Sequence, residues 1–303
     1  MITVRLLGGL GNQLFQYAVG RSLSIDRDDK LILDSSFYDY PHFWTAKREC
    51  KLNHFNITGD FIHFPRLPAS FMSLVSQGAW KMPEMVNFAS EYLFTKIPCP
   101  IHQTQYIHES IFNSRPEMFD LSGNLYLDGN WQSEKYFDKY PDVIKNDLRV
   151  LTSPSPENIK WGEFISKQNT ICLHVRRGDY VTDSVARQHV GTCSLDYYKR
   201  AIDYIADRVD NPVFIVFSDD IPWAREHIPI CFPVYYLTHN NGETDYEDLR
   251  LMSLCKHFIT ANSSFSWWGG WLGDYEDKII VCPERWYNDG TKNDIIPERW
   301  IRL

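Results

Sequence analysis

From Thr170 to Cys282, short apolar runs alternate with helix-length segments, and this alternation restricts the fold of the 303-residue chain more than any other feature. Thr170–Val175, Pro212–Phe217, Val234–Leu237, Phe258–Ala261 and Lys278–Cys282 read as buried strands. The segments between them read as helices. Leu195–Val209 opens on Ser194 as a cap and places Leu195, Tyr198, Ile202, Ile205 and Val209 on one face. Ile221–His227 is a short helix, and Tyr246–His257 starts on acidic residues, as the helix dipole favours. Asn262-Ser263-Ser264 begins another. Strands separated by helices must be joined by crossovers, which gives a parallel sheet and the α/β class.

The first half opens in the same way. Ile2–Leu7 is a strand, Gly8–Gln13 a glycine-rich turn, Leu14–Leu23 a helix and Lys30–Asp34 a second strand. Residues 36–135 are rich in aromatics and proline with weak periodicity. They predict short helices and broken loops around a strand at Leu125–Leu127. Val143–Leu151 reads as a helix. Thr152-Ser153-Pro154-Ser155-Pro156 reads as a linker, because its prolines stop a helix. The length suits two domains, here 1–153 and 154–303.

A formal net charge of −8 argues against nucleic-acid binding, which needs a basic surface. The seven cysteines, Cys50, Cys99, Cys172, Cys193, Cys231, Cys255 and Cys282, are scattered without a C-x-x-C pair. That argues against a zinc site and for a reducing compartment, with Cys172 and Cys255 as buried thiols. The N-terminal apolar stretch is too short for a signal peptide, and no window supplies 18 uninterrupted apolar residues. The expectation is a cytoplasmic protein without a transmembrane segment, able to meet a lipid-linked substrate at the inner face of the membrane.

Chemistry concentrates at strand ends. The strand at Thr170 runs into Arg176-Arg177-Gly178-Asp179, with His174 close by. Guanidinium forks suit phosphate oxygens, and the carboxyl ends of parallel strands are where ligands bind. A purely structural Arg–Asp pair is the plainer alternative. Ser263 or Ser264 caps a helix whose N-terminus offers free N–H groups to a phosphate. One cation pair and one helix terminus can clamp a diphosphate. Asp219 and Asp220 follow another strand and either cap the next helix or hold sugar hydroxyls. A carboxylate at Asp248 matches the paired donor edge of guanine, or is simply a favourable charge near a helix start.

Gly9-x-Gly11, with Asp34 ending the next strand, resembles a dinucleotide fingerprint, which gives an NAD-dependent oxidoreductase as a rival. Leu14 occupies the third glycine position, and Asn12-Gln13 suits hydroxyl binding instead. The D-x-D at Asp26-Arg27-Asp28 precedes a strand, so a metal-free clamp fits better than a metal-bound one. Trp267, Trp268 and Trp271 could stack on a sugar, but at least two of them are expected in the core.

Together these residues resemble the bacterial α-1,2-fucosyltransferases of glycosyltransferase family 11. The resemblance is carried by Gly8–Ala18, Trp131–Phe137, His174–Tyr180, Phe217–Trp223, Asp248–His257 and Asn262–Gly269, in that order. It departs from the family pattern at Asn130, where a bulkier aromatic is expected and acceptor fit is affected, and at Leu14, where methionine is common. It implies a GT-B architecture, with two facing Rossmann-like domains and a ligand cleft between them. The N-terminal domain is then the acceptor side and the C-terminal one holds GDP-fucose.

The implied reaction is inverting and metal-independent, with no cofactor. Fucose passes from GDP-fucose to the 2-hydroxyl of a terminal β-galactose on an oligosaccharide or O-antigen glycan. The implied catalytic residues are Arg176, which neutralises the leaving diphosphate, and Asn12, near the reacting sugar. The implied donor-binding set is His174, Arg177, Asp179, Asp219, Asp248, Ser263, Ser264, Phe265 and Ser266, with Gly9 and Gly11 forming the glycine loop. Asp34, Asp128 and Glu134 are the candidates for a general base, and the sequence does not choose among them or between them and a strongly dissociative route with late proton loss to water. A non-catalytic nucleotide-sugar-binding protein is the remaining alternative.

Overall fold

The computed structural model describes residues 1–39, 48–63, 104–109, 114 and 116–303. Much of the 36–135 expectation, and Cys99 with it, therefore lies outside the described residues. Two wholly parallel sheets dominate the rest. The first contains β1 (Ile2–Arg5), β2 (Leu31–Asp34), β3 (Asp60–Ile62), β4 (Thr104–His108) and β5 (Asn124–Asp128), in the order β3-β2-β1-β5-β4. β1 is central, with Ile2 opposite Leu31 on one side and Leu125 on the other. The helix α1 (Leu10–Asp26) crosses from β1 to β2 and buries most of its length.

The second sheet contains β6 (Thr170–Val175), β7 (Val213–Ser218), β8 (Val234–Tyr236), β9 (His257–Ile259), β10 (Ile280–Cys282) and β11 (Ile301–Arg302). Their order is β11-β10-β9-β6-β7-β8. All six residues of β6 are buried, as a strand covered on both faces requires. In each sheet the strand order reverses beside the first strand laid down: between β1 and β5 in one, between β6 and β9 in the other. Ligands bind in the crevice at such reversals.

The remaining helices are α2 (Pro141–Asp147), α3 (Pro156–Lys167), α4 (Gly178–Thr182), α5 (Ser184–His189), α6 (Leu195–Ala206), α7 (Ile221–His227), α8 (Asp245–Ser253) and α9 (Ser264–Leu272). Several differ from the sequence reading. The α2 helix ends at Asp147, and Val150 instead bridges to Phe55. Pro156 starts a helix where a linker was expected: proline at the first helical position loses no bond, and Ser155 Oγ caps it by accepting from Asn158 N at 3.2 Å. The α8 helix stops at Ser253, so His257 opens β9 rather than closing a helix. The loop after β6 folds into α4 and α5.

Trp267 and Trp268 are fully buried and Trp271 nearly so. The Phe15 ring of α1 lies 4.6 Å from Trp267 and 4.9 Å from Trp268, and Phe137 stacks on Trp268 at 5.5 Å. The indole N–H groups are all satisfied, donating to Ile295 O (2.7 Å), Gly11 O (3.0 Å) and Glu134 Oε2 (3.3 Å). The core expectation for these tryptophans holds for all three. Each such ring is worth roughly 2–3 kcal/mol by area. The cluster joins the half that carries α1 to the half that carries α9. Cys172 and Cys255 are buried free thiols. Among the described residues, no helix is long and apolar enough to cross a membrane.

Candidate active site

β6 delivers Arg176 to the carboxyl edge of its sheet, at the reversal point. Two carboxylates fix the guanidinium there: Nη2 donates to Asp179 Oδ1 at 2.7 Å, and Nη1 pairs with Asp219 Oδ2 at 2.9 Å. Burial works against the charge, but Asp219 and Asp179 more than offset it, so the Arg176 pKa is raised. A guanidinium has five N–H donors, more than these two contacts use. His174, one turn of the strand earlier, is 5 % exposed and tilts against the Phe265 ring at 5.7 Å. Burial, helped by the Arg176 charge, pulls its pKa down to about 3, so it is neutral. Among the described residues its buried Nδ1 has no hydrogen-bond partner, which costs free energy unless something arrives to satisfy it.

Arg177 departs from the expected clamp. Its guanidinium lies 3.8 Å over the Trp223 ring, and Nε donates to Asp220 Oδ2 at 3.1 Å. Both arginines make the Arg–Asp pairs that the structural alternative expects, Arg176 with Asp179 and Asp219 and Arg177 with Asp220. Asp220 also caps α7 by accepting from Trp223 N at 3.2 Å. Asp219 fixes both arginines, through Arg176 Nη1 and the Arg177 main-chain N–H at 2.8 Å.

At the start of α9, Ser263 is the N-cap residue but makes no side-chain cap bond. Ser264 Oγ donates to Asn12 Oδ1 across the interface at 2.8 Å. Ser266 lies deeper. It is fully buried, and its Oγ accepts from Ala261 N at 2.9 Å, closing the strand-to-helix turn.

The opposite wall comes from the loop after β1. Gly8 takes φ +78°, Gly9 sits at the N-cap of α1, and Asn12 Oδ1 also accepts from Gln132 Nε2 at 2.8 Å. A Cβ on Gly11 would lie 2.4 Å from Phe265 N and 2.5 Å from Ser264 C. Gly11 is thus small so that α1 can meet α9. The close approach at this glycine is made by the main chain of α9. Arg48 reaches Asp179 at 3.4 Å, and Lys51 Nζ pairs with Asp245 at 2.7 Å. Sequence reasoning singled out neither cation, because both sit where periodicity is weak.

Asp248, on α8, accepts from Asn240 Nδ2 at 2.8 Å. Burial pushes its pKa up to about 6, against the pull of that hydrogen bond. Asn240 also donates to Asn158, and these two border a cavity of about 360 Å³ that His239 and Tyr246 help to line.

The three expected base candidates are all engaged. Asp34 accepts from Ser36 N at 3.0 Å, Ser36 Oγ at 2.6 Å and the Tyr126 hydroxyl. Asp128 is bound by Arg5 at 3.2 Å, by the Tyr106 hydroxyl and by His108. Burial opposes its charge, but those partners prevail and hold its carboxyl well below the usual range. Glu134 pairs with Arg299 at 2.5 Å and the Trp271 indole at 3.3 Å. The sequence reading passed over a fourth carboxylate, Glu109, at the end of β4. Its Oε2 accepts from the main-chain N–H groups of Asn130 (2.7 Å) and Trp131 (2.8 Å). Burial pushes its pKa up to about 7. Its neighbours are separated in sequence, so only the sheet brings the site together.

The family model described as Glycosyl transferase family 11 matches residues 84–303. An Alpha-1,2-colitosyltransferase of Escherichia coli is 32% identical, covering 100% of this chain and 99% of its own. The O-antigen biosynthesis glycosyltransferase WbnK of Escherichia coli is 33% identical, covering 98% and 99%. A Galactoside 2-alpha-L-fucosyltransferase of Caenorhabditis elegans is 26% identical, covering 100% and 79%. Among solved structures, a mutant of Arabidopsis thaliana FUT1 in complex with GDP superposes with a TM-score of 0.53 at 12% identity, covering 98% of this chain and 72% of that one. The last likeness is one of fold alone, and the fold is GT-B: two α/β halves with their strand reversals facing one another. Motifs, topology and relatives converge, and the chain belongs to glycosyl transferase family 11.

Proposed function

We propose that the protein is an inverting α-1,2-fucosyltransferase. It takes fucose from GDP-β-L-fucose and places it on the 2-hydroxyl of a terminal β-galactose in an oligosaccharide or O-antigen glycan. The observation that carries the reading is Arg176, held charged by Asp179 and Asp219 at the strand reversal and opposite Asn12 and Ser264. In the transfer, the bond from the sugar C1 to the β-phosphate oxygen breaks, and negative charge develops on GDP. A fixed guanidinium stabilises that charge without reorganising, an effect worth about 3–4 kcal/mol for one well-placed donor.

The free N–H groups of α9, with Ser263, Ser264 and Phe265, cradle the phosphates. Asp248 accepts from guanine, and the unpartnered His174 Nδ1 supplies a neutral hydrogen-bonding atom beside it. Asn12 orients the sugar. Arg176 and the helix terminus do the work a metal does in other transferases, so the reaction needs none and no cofactor. The galactoside in the name of the nematode relative and the O-antigen in that of WbnK support this acceptor class. Such glycans are assembled on lipid carriers, so the protein works against the inner face of the membrane while remaining cytoplasmic.

A second reading has one observation in its favour. The colitosyltransferase relative matches end to end, and colitose is fucose without its 3-hydroxyl. The donor would then be GDP-colitose, with the same site and the same inversion.

Mass spectrometry decides between them. Lactose, N-acetyllactosamine and lacto-N-biose are incubated with the protein, EDTA and either GDP-fucose or GDP-colitose. A fucose mass on the galactose 2-hydroxyl is the expected result. Transfer from GDP-colitose alone would replace the donor. GDP binding without transfer of either sugar would move the protein to the non-catalytic alternative, and loss of transfer in EDTA would overturn metal independence.

A further inference from the structure

An inverting displacement at C1 is accelerated, typically by about 10²- to 10⁴-fold, by a group that takes the proton of the attacking hydroxyl. Asp34, Asp128 and Glu134 have both oxygens engaged, as described above. Glu109 does not. Its Oε2 is fixed by two consecutive main-chain N–H groups, and among the described residues its Oε1 has no hydrogen-bond partner. The turn that supplies those N–H groups is built at a cost. Trp131 is fully buried with φ +55°, a backbone conformation that residues other than glycine rarely adopt. Gly129 is needed beside it, because a Cβ there would lie 2.4 Å from Glu109 Cβ. Gln16 braces the turn from α1, donating to Gly129 O at 3.1 Å.

This turn leads into the cleft. Gln132, the next residue, donates to Asn12 Oδ1 at 2.8 Å and accepts from the Tyr287 hydroxyl at 3.4 Å. Glu109 itself donates its main-chain N–H to Asp128 O at 3.0 Å, so it stands at the carboxyl edge of the first sheet. Strain of this kind collects at functional sites. Here it aims two N–H groups at one carboxylate oxygen and leaves the other open.

We propose that Glu109 is the general base of the transfer, with Oε1 taking the proton of the acceptor 2-hydroxyl. The inference rests on the glycosyl-transfer reading above. The acceptor oxygen forms its bond to the sugar C1. The bond from C1 to the β-phosphate oxygen breaks, and its electron pair leaves with GDP against Arg176. The hydroxyl proton passes to Glu109 Oε1 and then to solvent. Burial places the Glu109 pKa at about 7, where a carboxylate is both ionised and basic enough to act. The groups facing it are the two N–H donors and His108, which lower the pKa, and Asp294, which raises it. Tyr287, whose own pKa Glu109 helps to raise, faces it from the C-terminal half. Asp128, with its Arg5 partner, lies at the neighbouring strand end.

The test compares the wild type with Glu109→Gln and Glu109→Asp, using whichever donor the wild type accepts. Gln keeps an oxygen for the two N–H groups but takes no proton. The expected result is a fall in kcat of about 10²- to 10⁴-fold for Glu109→Gln, with GDP affinity unchanged within threefold. The wild-type rate should fall with unit slope below about pH 7, and Glu109→Gln should lose that limb. Glu109→Asp should retain it at a reduced rate. A Glu109→Gln rate within threefold of wild type overturns the proposal. So does a wild-type profile without the acidic limb, or loss of GDP binding in parallel with rate, which marks a structural role. If the wild type itself binds GDP but transfers no sugar, the reading of function fails first, and the base falls with it.

Discussion

Ser264 Oγ and Asn12 Oδ1 meet at 2.8 Å across 252 residues of sequence. One lies just past β9 and the other just past β1, so the bond ties together the reversal points of the two sheets. Asn12→Ala is expected to lower kcat about ten- to a hundredfold, or roughly 1.4–2.7 kcal/mol of transition-state stabilisation. Ser264→Ala should cost less. Because the two share a bond, the double variant should be less impaired than the product of the single losses. Steady-state kinetics of all four proteins measures that coupling, and strict additivity would show that the bond does nothing for catalysis.

Replacing Arg176 separates charge from shape. The two Nη atoms address different carboxylates, a geometry that a lysine ammonium does not reproduce. Arg176→Lys is expected to retain less than a few per cent of transfer, and Arg176→Ala to lose about 10³-fold or more. Circular dichroism should show the fold retained. A lysine variant near wild-type rate would mean that only net charge matters there.

Titration of Asp248 should be visible in nucleotide binding. Its pKa is raised to about 6, so the carboxylate is ionised above that pH and protonated below it. Only the ionised form accepts from both guanine donors. GDP affinity, measured calorimetrically, is expected to be flat above pH 7 and to weaken towards tenfold per unit below pH 6. Asp248→Asn should bind GDP weakly at all these values. His174, already neutral, adds no dependence in this range.

Gly11→Ala tests the contact between helices directly. The added methyl would meet the main chain of Ser264 and Phe265, which cannot step aside as a flexible side chain can. Overpacking of this kind typically costs 1–3 kcal/mol. Urea unfolding should report that loss, together with reduced transfer. Gly242→Ala is the control, since nothing lies within 4 Å of a Cβ there.

The second half of the chain was legible because fully buried parallel strands are written as uninterrupted apolar runs, and β6, β7 and α6 lie where those runs predicted. The place of Arg176 at a strand end was legible for the same reason, and the anions that such a cation needs are the carboxylates of Asp179 and Asp219. Pro156 misled, because proline reads as a stop whether it breaks a helix or begins one. β3 and β4 have half-exposed or exposed residues and no strong pattern, so neither was found. Glu109 could not be found by spacing. It becomes notable only when β4 pairs with β5 and brings the Asn130–Trp131 turn to its carboxylate. Ser266 and Arg177 belong to motifs that do reach the site, but burial and the Trp223 ring decide which members of a motif face a ligand.

The packing of Phe15 and Phe137 against Trp267, Trp268 and Trp271 has a consequence for evolution as well as for stability. An interface between domains ordinarily permits motion because it is small and polar. This one is the dry interior of the molecule, and severing the halves would open several of its largest buried rings to water. Neither half is a portable module. A foreign half joined to either one would have to reproduce the seam between α1 and α9.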